Sequence, residues 1–140
     1  MTNLIILDTG PLVAYLCNGD RYSGWAKKRF QEIVSPLVTC QAVISEACFL
    51  TRNIPQGRQA ILEMIERNLI QTEFNLNVEA TALKQLMHKY QDVPMSLADA
   101  CLVRLAEIYE DARILTLDKD FSIYRKNKNS LIACITPFDR

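Results

Sequence analysis

Two short aliphatic segments of the chain end at an aspartate: residues 4–8 are Leu-Ile-Ile-Leu-Asp, and residues 114–118 are Ile-Leu-Thr-Leu-Asp. Neither alternates polar and apolar positions, which is typical of a strand buried on both faces of a sheet. Three further segments have strand character: residues 37–40, 69–73 and 131–135. Between the strands, apolar residues recur with helical spacing over about residues 11–17, 24–34, 41–52, 55–68, 78–90 and 97–110. Strands that alternate with helices predict a parallel sheet covered on both faces.

Asp8 and Asp118 stand at the ends of two of these predicted strands. Right-handed crossovers bring the carboxyl ends of parallel strands to one edge of the sheet. Open α/β sheets bind their ligands at that edge. The pattern therefore predicts a site around the two carboxylates. The alternative is that Asp8 caps the helix that begins near Pro11, and that Asp118 or Asp120 caps a last helix.

Two further acids interrupt apolar helical segments. Glu46 is the only charged residue of residues 42–50, and Asp99 is the only one of residues 97–103. Carboxylates are rarely buried unless they are paired or bind a metal, so a bound cation would account for both. The alternatives are a polar edge on the helix for Glu46 and a capping box with Ser96 for Asp99. One metal site at the sheet edge accounts for all four acids together.

Length and composition narrow the class of protein. A chain of 140 residues predicts one domain over residues 1–140. Sixteen Lys and Arg balance sixteen Asp and Glu, so a polyanionic ligand would need a local basic patch. No apolar segment approaches the roughly 18 residues of a membrane-spanning helix, and we expect neither secretion nor membrane insertion. Five cysteines without a Cys-x-x-Cys pair predict reduced thiols in a cytoplasmic protein.

The order of the four acids resembles the acidic quartet of the PIN-domain nucleases, and the chain is similar in size to the single-domain VapC-like toxins of that family. Four local sequences resemble the family's motifs: Ile-Leu-Asp-Thr at 6–9, Ser-Glu at 45–46, Leu-Ala-Asp-Ala at 97–100 and Leu-Thr-Leu-Asp-Lys-Asp-Phe at 115–121. Asp120, two residues past Asp118, could share or supplement the role of the fourth acid.

The resemblance implies a three-layer α/β/α sandwich with a central, mainly parallel sheet. It also implies an endoribonuclease that hydrolyses the phosphodiester bonds of RNA with a divalent metal ion. For the toxin-like members it implies a homodimer and a small antitoxin protein whose tail enters the acidic site. The implied catalytic acids are Asp8, Glu46, Asp99 and Asp118.

Clustered carboxylates favour a bound metal on physical grounds, because two unit charges about 4 Å apart repel by roughly 4 kcal/mol at an effective dielectric constant near 20. Mg²⁺ or Mn²⁺ would neutralise the cluster and prefers such hard oxygen ligands. We expect direct ligation by Asp8 and Asp118, direct or water-mediated ligation by Glu46 and Asp99, and a shared or supplementary role for Asp120. Three hydroxyl side chains are candidates to orient these carboxylates: Thr9, Ser45 and Thr116.

Binding of RNA also requires cationic contacts to phosphates. Residues 21–30 and residues 125–128 concentrate positive charge without an acid. They predict phosphate contacts by Lys27, Lys28, Arg29, Arg125, Lys126 and Lys128, with a solvated helix face or loop tip as the alternative. The apolar first helix predicts a surface for self-association, and its complete burial against the sheet is the alternative.

Other functions fit the sequence less well. Residues 8–10 match the Asp-Thr-Gly of aspartic proteases, but those enzymes are all-β and this chain has six helical segments. A phosphohydrolase with an aspartyl nucleophile would need a second acid at position 10, which is Gly10. A non-catalytic PIN-like module that binds RNA or protein is the remaining alternative, and the presence of all four acids favours the enzyme.

Overall fold

A parallel sheet forms the centre of the computed structural model, which describes residues 4–138. Seven strands occur in these residues: β1 (Ile5–Leu7), β2 (Leu37–Val38), β3 (Ile70–Gln71), β4 (Arg113–Leu115), β5 (Arg125–Lys126), β6 (Ser130–Leu131) and β7 (Cys134–Ile135). Five of them form the central sheet in the order β3-β2-β1-β4-β7, and every neighbouring pair is parallel. The order places β1 in the middle of the sheet, with the end of β4 beside it. The first and last residues of the predicted domain, 1–3 and 139–140, lie outside the described part.

Helices cover both faces of the sheet. Within residues 4–138 they are α1 (Thr9–Leu16), α2 (Ser23–Glu32), α3 (Gln41–Leu50), α4 (Gly57–Glu66), α5 (Leu76–Lys89) and α6 (Leu97–Ile108). Ile5 and Leu7 of β1 contact a core formed with α1–α4, whereas Ile6 contacts a second core formed mainly with α5 and α6. All three side chains are buried, as the unbroken aliphatic segment predicts. The predicted three-layer α/β/α arrangement and all six predicted helices are confirmed.

The last predicted strand, residues 131–135, is wrong as a single element. Its first residue belongs to an antiparallel hairpin in which β5 pairs with β6, and only its last two residues join the central sheet as β7. Leu131 is 67% exposed on this hairpin. Asn127 and Lys128 both have positive φ angles in the connecting turn, a conformation that asparagine tolerates well. The aliphatic composition of residues 131–135 therefore gives no signal that the chain changes direction between two short strands.

The five cysteines all lie within residues 4–138, and none of them forms a disulfide there. Cys40 and Cys101 are buried in the core beneath the sheet edge. Both side chains pack within the apolar core. No helix within residues 4–138 is long and apolar enough to cross a lipid bilayer.

Candidate active site

Asp8 occupies the centre of the carboxyl edge of the sheet, directly after β1. Its carboxylate caps α1: Oδ1 accepts a hydrogen bond of 2.7 Å from the backbone N–H of Thr9. The other oxygen, Oδ2, accepts a hydrogen bond of 2.7 Å from the hydroxyl of Thr116, which follows β4. Asp8 is 7% exposed. The capping alternative is thus correct for Asp8, and the same carboxylate also joins the ends of two strands.

A chain of hydrogen bonds continues from Thr116 to the fourth acid. The Thr116 hydroxyl oxygen accepts a 2.9 Å hydrogen bond from the backbone N–H of Asp118. Asp118 in turn caps a short 3-10 turn, Lys119–Ser122, by accepting a 2.9 Å hydrogen bond from the N–H of Asp120. One threonine side chain therefore fixes the position of Asp118 relative to Asp8.

Asp99 lies in the first turn of α6, where Ser96 caps the helix by accepting a 3.0 Å hydrogen bond from the backbone N–H of Asp99. The Asp99 carboxylate accepts a 2.9 Å hydrogen bond from the hydroxyl of Tyr124. Tyr124 is completely buried, and its ring contacts Phe121 and Tyr90 edge-on. The aromatic cluster holds this hydroxyl against Asp99.

Glu46 lies in the middle of α3, and its side chain is exposed. Its apolar helical neighbours Phe49 and Leu50 are also exposed, 60% and 49% respectively. The inference that Glu46 needs a cation because it is buried is therefore wrong. Phe49 and Leu50 face solvent rather than the core, which a one-dimensional pattern cannot distinguish.

The four acids nevertheless line one open cleft of about 340 Å³, together with Thr9, Gly10, Ser96, Ala98 and Leu117. They come from four different parts of the chain: the ends of β1 and β4, the middle of α3 and the start of α6. Asp120 and Ser45 are not part of the lining of this cleft, although Asp120 lies close enough to Asp118 for their charges to interact. Asp8 forms the buried floor, and Asp118 and Glu46 lie towards solvent.

The carboxylates in the cleft perturb one another. Burial raises the pKa of Asp8 from 3.8 to about 6, with a further contribution from the charges of Asp99 and Asp118, and the hydrogen bonds from Thr116 and Thr9 oppose this shift. Burial and the charge of Asp118 also raise the pKa values of Asp99 and Asp120. Each raised pKa means that the folded protein disfavours the ionised form of that carboxyl group. A cation in the cleft would relieve this repulsion.

The donor set fits a hard divalent cation in its chemistry, since every candidate ligand atom is an oxygen. The hydroxyl oxygen of Thr9 also fits a ligand in the cleft, because it is buried and has no hydrogen-bond partner among residues 4–138. In the described part of the chain, no three His, Cys, Asp or Glu side chains are close enough to hold one ion together.

The predicted phosphate contacts of the first basic segment lie away from this cleft. Lys27 and Lys28 are exposed on α2, and Arg29 pairs with Glu32 at 3.3 Å. Arg29 also lines a groove with the first residues of β1 and β4, Ile5 and Arg113. That groove is at the amino ends of the strands, opposite the four acids.

The second basic segment forms the hairpin of β5 and β6. The guanidinium of Arg125 donates hydrogen bonds to the carbonyl groups of residues 122–124. Lys126 donates to the carbonyl of Glu110, which follows the end of α6, and Lys128 is exposed at the turn. The structure therefore does not bring either basic segment into the lining of the acidic cleft.

Two residues of the site lacked a signal that identified their role. Ser96 appeared in the sequence only as part of a capping box, which is the role it has, but it also lines the cleft. Tyr124 follows no motif and contacts Asp99 across 25 positions of the chain. Its contribution depends on the path of the chain after β4.

Comparisons with known proteins agree with this architecture. The PIN domain family model matches residues 5–127. A crystal structure of VapC20 from Mycobacterium tuberculosis, described as a toxin that cleaves the sarcin-ricin loop, has the same fold, with a TM-score of 0.74 and 21% sequence identity over 85% of this chain and 93% of that chain. No curated protein sequence matches significantly. The fold, the acidic cleft and the family match together show that this chain belongs to the PIN domain family.

Proposed function

We propose that this protein is an endoribonuclease that hydrolyses RNA phosphodiester bonds at the acidic cleft with the help of Mg²⁺ or Mn²⁺. The observation that carries the proposal is the convergence of four acids from separate elements on one cleft whose deepest carboxylate, Asp8, has a strongly raised pKa. The family match and the similarity in fold to a toxin that cleaves RNA support it.

The residues of the cleft have different roles in this proposal. A divalent ion would supply an activated water and charge stabilisation at the phosphate. Asp8 and Asp118 would hold the ion, with Glu46 and Asp99 reaching it directly or through water. Thr116 fixes Asp8 and Asp118 relative to each other, because its hydroxyl donates to the Asp8 carboxylate and accepts from the backbone N–H of Asp118. The unpartnered hydroxyl of Thr9 would bind water or a phosphate oxygen.

We further propose that the protein acts in the cytoplasm as the toxin of a toxin–antitoxin pair, as a homodimer that a small antitoxin protein inhibits. On the first helix Leu12 and Ala14 are completely buried, whereas Val13, Tyr15 and Leu16 are only partly buried and leave apolar surface for the dimer. We expect sedimentation as a dimer at micromolar concentration. A monomer at that concentration would contradict the homodimer.

The proposed activity is tested with purified protein and a labelled single-stranded RNA. We expect cleavage in Mg²⁺ or Mn²⁺ and none in EDTA, with activity restored when the ion is added back. A matched control for contaminating nuclease is the Asp118→Asn variant purified in parallel. Cleavage that persists in EDTA, or that Asp118→Asn retains, would contradict the proposal.

One observation favours the second candidate, a module that binds RNA or protein without cleaving it. No three acidic or other metal-binding side chains of residues 4–138 are positioned to hold an ion together. Calorimetry with Mn²⁺ separates the two functions. The enzyme is expected to bind the ion even without RNA, whereas the non-catalytic module is expected to bind RNA equally well in EDTA and in Mn²⁺.

Replacement of Tyr124 tests how the cleft positions its third acid. Tyr124→Phe keeps the buried ring but removes the 2.9 Å hydrogen bond to Asp99. Partners that orient metal ligands typically contribute 10- to 100-fold to metal affinity or activity, so we expect the affinity for Mn²⁺ to fall by about tenfold. The measurement is calorimetry with Mn²⁺.

The matched control for this variant is Tyr90→Phe. Tyr90 belongs to the same aromatic cluster, but its hydroxyl accepts a hydrogen bond from the backbone of Arg125 instead of contacting an acid of the cleft. Both variants should lose a similar, small amount of stability. Equal losses of Mn²⁺ affinity would show that the cluster acts only through folding.

The predicted basic segments are tested by the salt dependence of RNA binding. If Lys27, Lys28 and Arg29, or Arg125, Lys126 and Lys128, contact phosphates, reversing the charges of a segment will flatten the slope of log K against log salt concentration by roughly 0.7 for each phosphate that the segment no longer neutralises. Because both segments lie away from the cleft, Mn²⁺ affinity should not change. A slope that neither reversal alters would show that other cations bind the RNA.

A further inference from the structure

Two aromatic rings that are each contacted by a cation lie near acids of the cleft. The guanidinium of Arg52 is 4.0 Å from the centre of the Phe49 ring. The ammonium group of Lys119 is 4.8 Å from the centre of the Phe138 ring. None of these four residues belongs to the predicted basic segments or to the acidic quartet.

The first pair continues the exposed face of α3 that carries Glu46. Phe49 follows Glu46 by about one helical turn and is 60% exposed. Arg52 is held over the ring by a second contact, because its guanidinium also donates a 2.8 Å hydrogen bond to the Phe49 carbonyl. A rigid, solvent-facing ring with a fixed positive charge thus stands beside one acid of the cleft.

The second pair adjoins Asp118. Lys119 is the next residue in the chain, and Phe138 lies three residues past the end of β7. The Phe138 ring is half-buried and meets the Tyr22 ring edge-on, with the ring centres 5.8 Å apart. Tyr22 is itself fixed by its backbone N–H, which donates to Asp20. The contact orders Phe138 near the carboxyl edge of the sheet.

The strand order places these pairs on opposite sides of Asp8. The helix that carries Phe49 follows β2 on one side of β1, whereas Lys119 follows β4 and Phe138 follows β7 on the other side. A ligand that crosses the cleft from one pair to the other would pass over the acids. A ligand that fits both pairs combines flat apolar groups with negative charges, because each pair offers an aromatic ring and a cation.

We propose that the two pairs are stacking sites for the bases on either side of the scissile phosphate of a single-stranded RNA, with Arg52 and Lys119 contacting the flanking phosphates. Proteins that bind single strands combine these elements, and stacking on an aromatic ring tolerates any base. The proposal rests on the proposed ribonuclease function and identifies how its substrate is held. A protein partner is the less favoured occupant, since it would not need a cation on each ring.

Binding of fluorescein-labelled oligonucleotides in EDTA tests this proposal separately from cleavage. The two probes are a twelve-residue oligoadenylate and an oligomer of the same length and charge without bases. We expect Phe49→Leu and Phe138→Leu each to weaken binding of the oligoadenylate by about tenfold and to leave binding of the abasic oligomer unchanged. Arg52→Gln and Lys119→Gln should weaken binding of both probes and reduce the salt slope by about 0.7 each.

Tyr109→Leu is the matched control, because Tyr109 is 43% exposed but follows α6 shortly before the amino end of β4. It should bind both probes as the unchanged protein does, and all variants should have similar melting temperatures. Equal losses for both probes in the two phenylalanine variants, or no loss, would overturn the proposal. A change from dimer to monomer without a change in RNA binding would also overturn it and assign Phe49 to a protein interface. RNA binding that depends on stacking, without any cleavage in Mn²⁺, would contradict only the ribonuclease function.

Discussion

Asp8→Asn is expected to abolish RNA cleavage and, in the absence of metal, to make the protein more stable at neutral pH. The asparagine is isosteric and can keep both local contacts, with its carbonyl accepting from Thr9 and its amide donating to the Thr116 hydroxyl. It removes the charge whose burial raises the pKa of Asp8 to about 6. That shift corresponds to about 2–3 kcal/mol against the ionised form in the folded state. The melting temperature should rise by several degrees.

The stability of the protein is expected to depend on pH with a defined sign. Because the pKa of Asp8 is higher in the folded state than its ordinary value of 3.8, the folded protein binds more protons than the unfolded chain between about pH 4 and pH 6. The free energy of unfolding therefore falls as the pH rises through this window. Asp99 and Asp120 contribute in the same direction, so Asp8→Asn should reduce the dependence without removing it. Denaturation in EDTA at pH 4.5 and pH 7 measures this change in the free energy of unfolding.

Addition of Mn²⁺ at neutral pH should reverse the order of stability. The ion binds the folded protein and stabilises it by mass action, whereas Asp8→Asn has lost a proposed ligand. Asp111→Asn, at an exposed aspartate before β4, is the matched control and should behave as the unchanged protein does. If Asp8→Asn cleaved RNA at a near-normal rate, the role assigned to Asp8 would be wrong.

Glu46→Gln is expected to abolish cleavage or to reduce it by at least 100-fold without a measurable loss of stability. Glu46 is exposed on α3, so the neutral side chain costs little in the fold. In the proposed site it supplies one of four charges that face the ion, and its loss should also weaken Mn²⁺ binding. Single-turnover cleavage and calorimetry measure the two effects.

Glu66→Gln provides a comparison at another exposed helical glutamate, in the last turn of α4. It should change neither measurement. Unchanged cleavage and Mn²⁺ affinity in Glu46→Gln would leave Glu46 as a polar residue on the helix surface and would remove it from the proposed active site.

The sequence predicted the sheet and the edge at which Asp8 and Asp118 meet, because both follow aliphatic segments whose unbroken apolar character indicates burial on two faces. It also identified Glu46, but by a wrong argument. Periodicity shows that Glu46 shares a helix face with Phe49 and Leu50, and it cannot show that this face is turned to solvent. Glu46 lines the cleft with the other acids, although its side chain is exposed and not buried as the pattern predicted.

Contacts that depend on the path of irregular segments were beyond sequence reasoning. Tyr124 reaches Asp99 only because the chain after β4 turns back over α6, and no spacing encodes this turn. The distance of the basic segments from the cleft also depends on the path of irregular segments. Residues 125–128 are strongly positive along the sequence, yet Arg125 and Lys126 direct their side chains to backbone carbonyl groups.

The hydrogen bond between Thr116 and Asp8 joins residues that are 108 positions apart. Closing so large a loop is slow compared with forming a helix, and it requires β1 and β4 to pair first. During synthesis, the acidic cleft therefore cannot assemble until the segment that follows β4 has left the ribosome. Until then a nascent chain exposes Asp8 without the residues that complete the cleft, so the proposed nuclease cannot act on RNA before all four acids have been synthesised and have emerged.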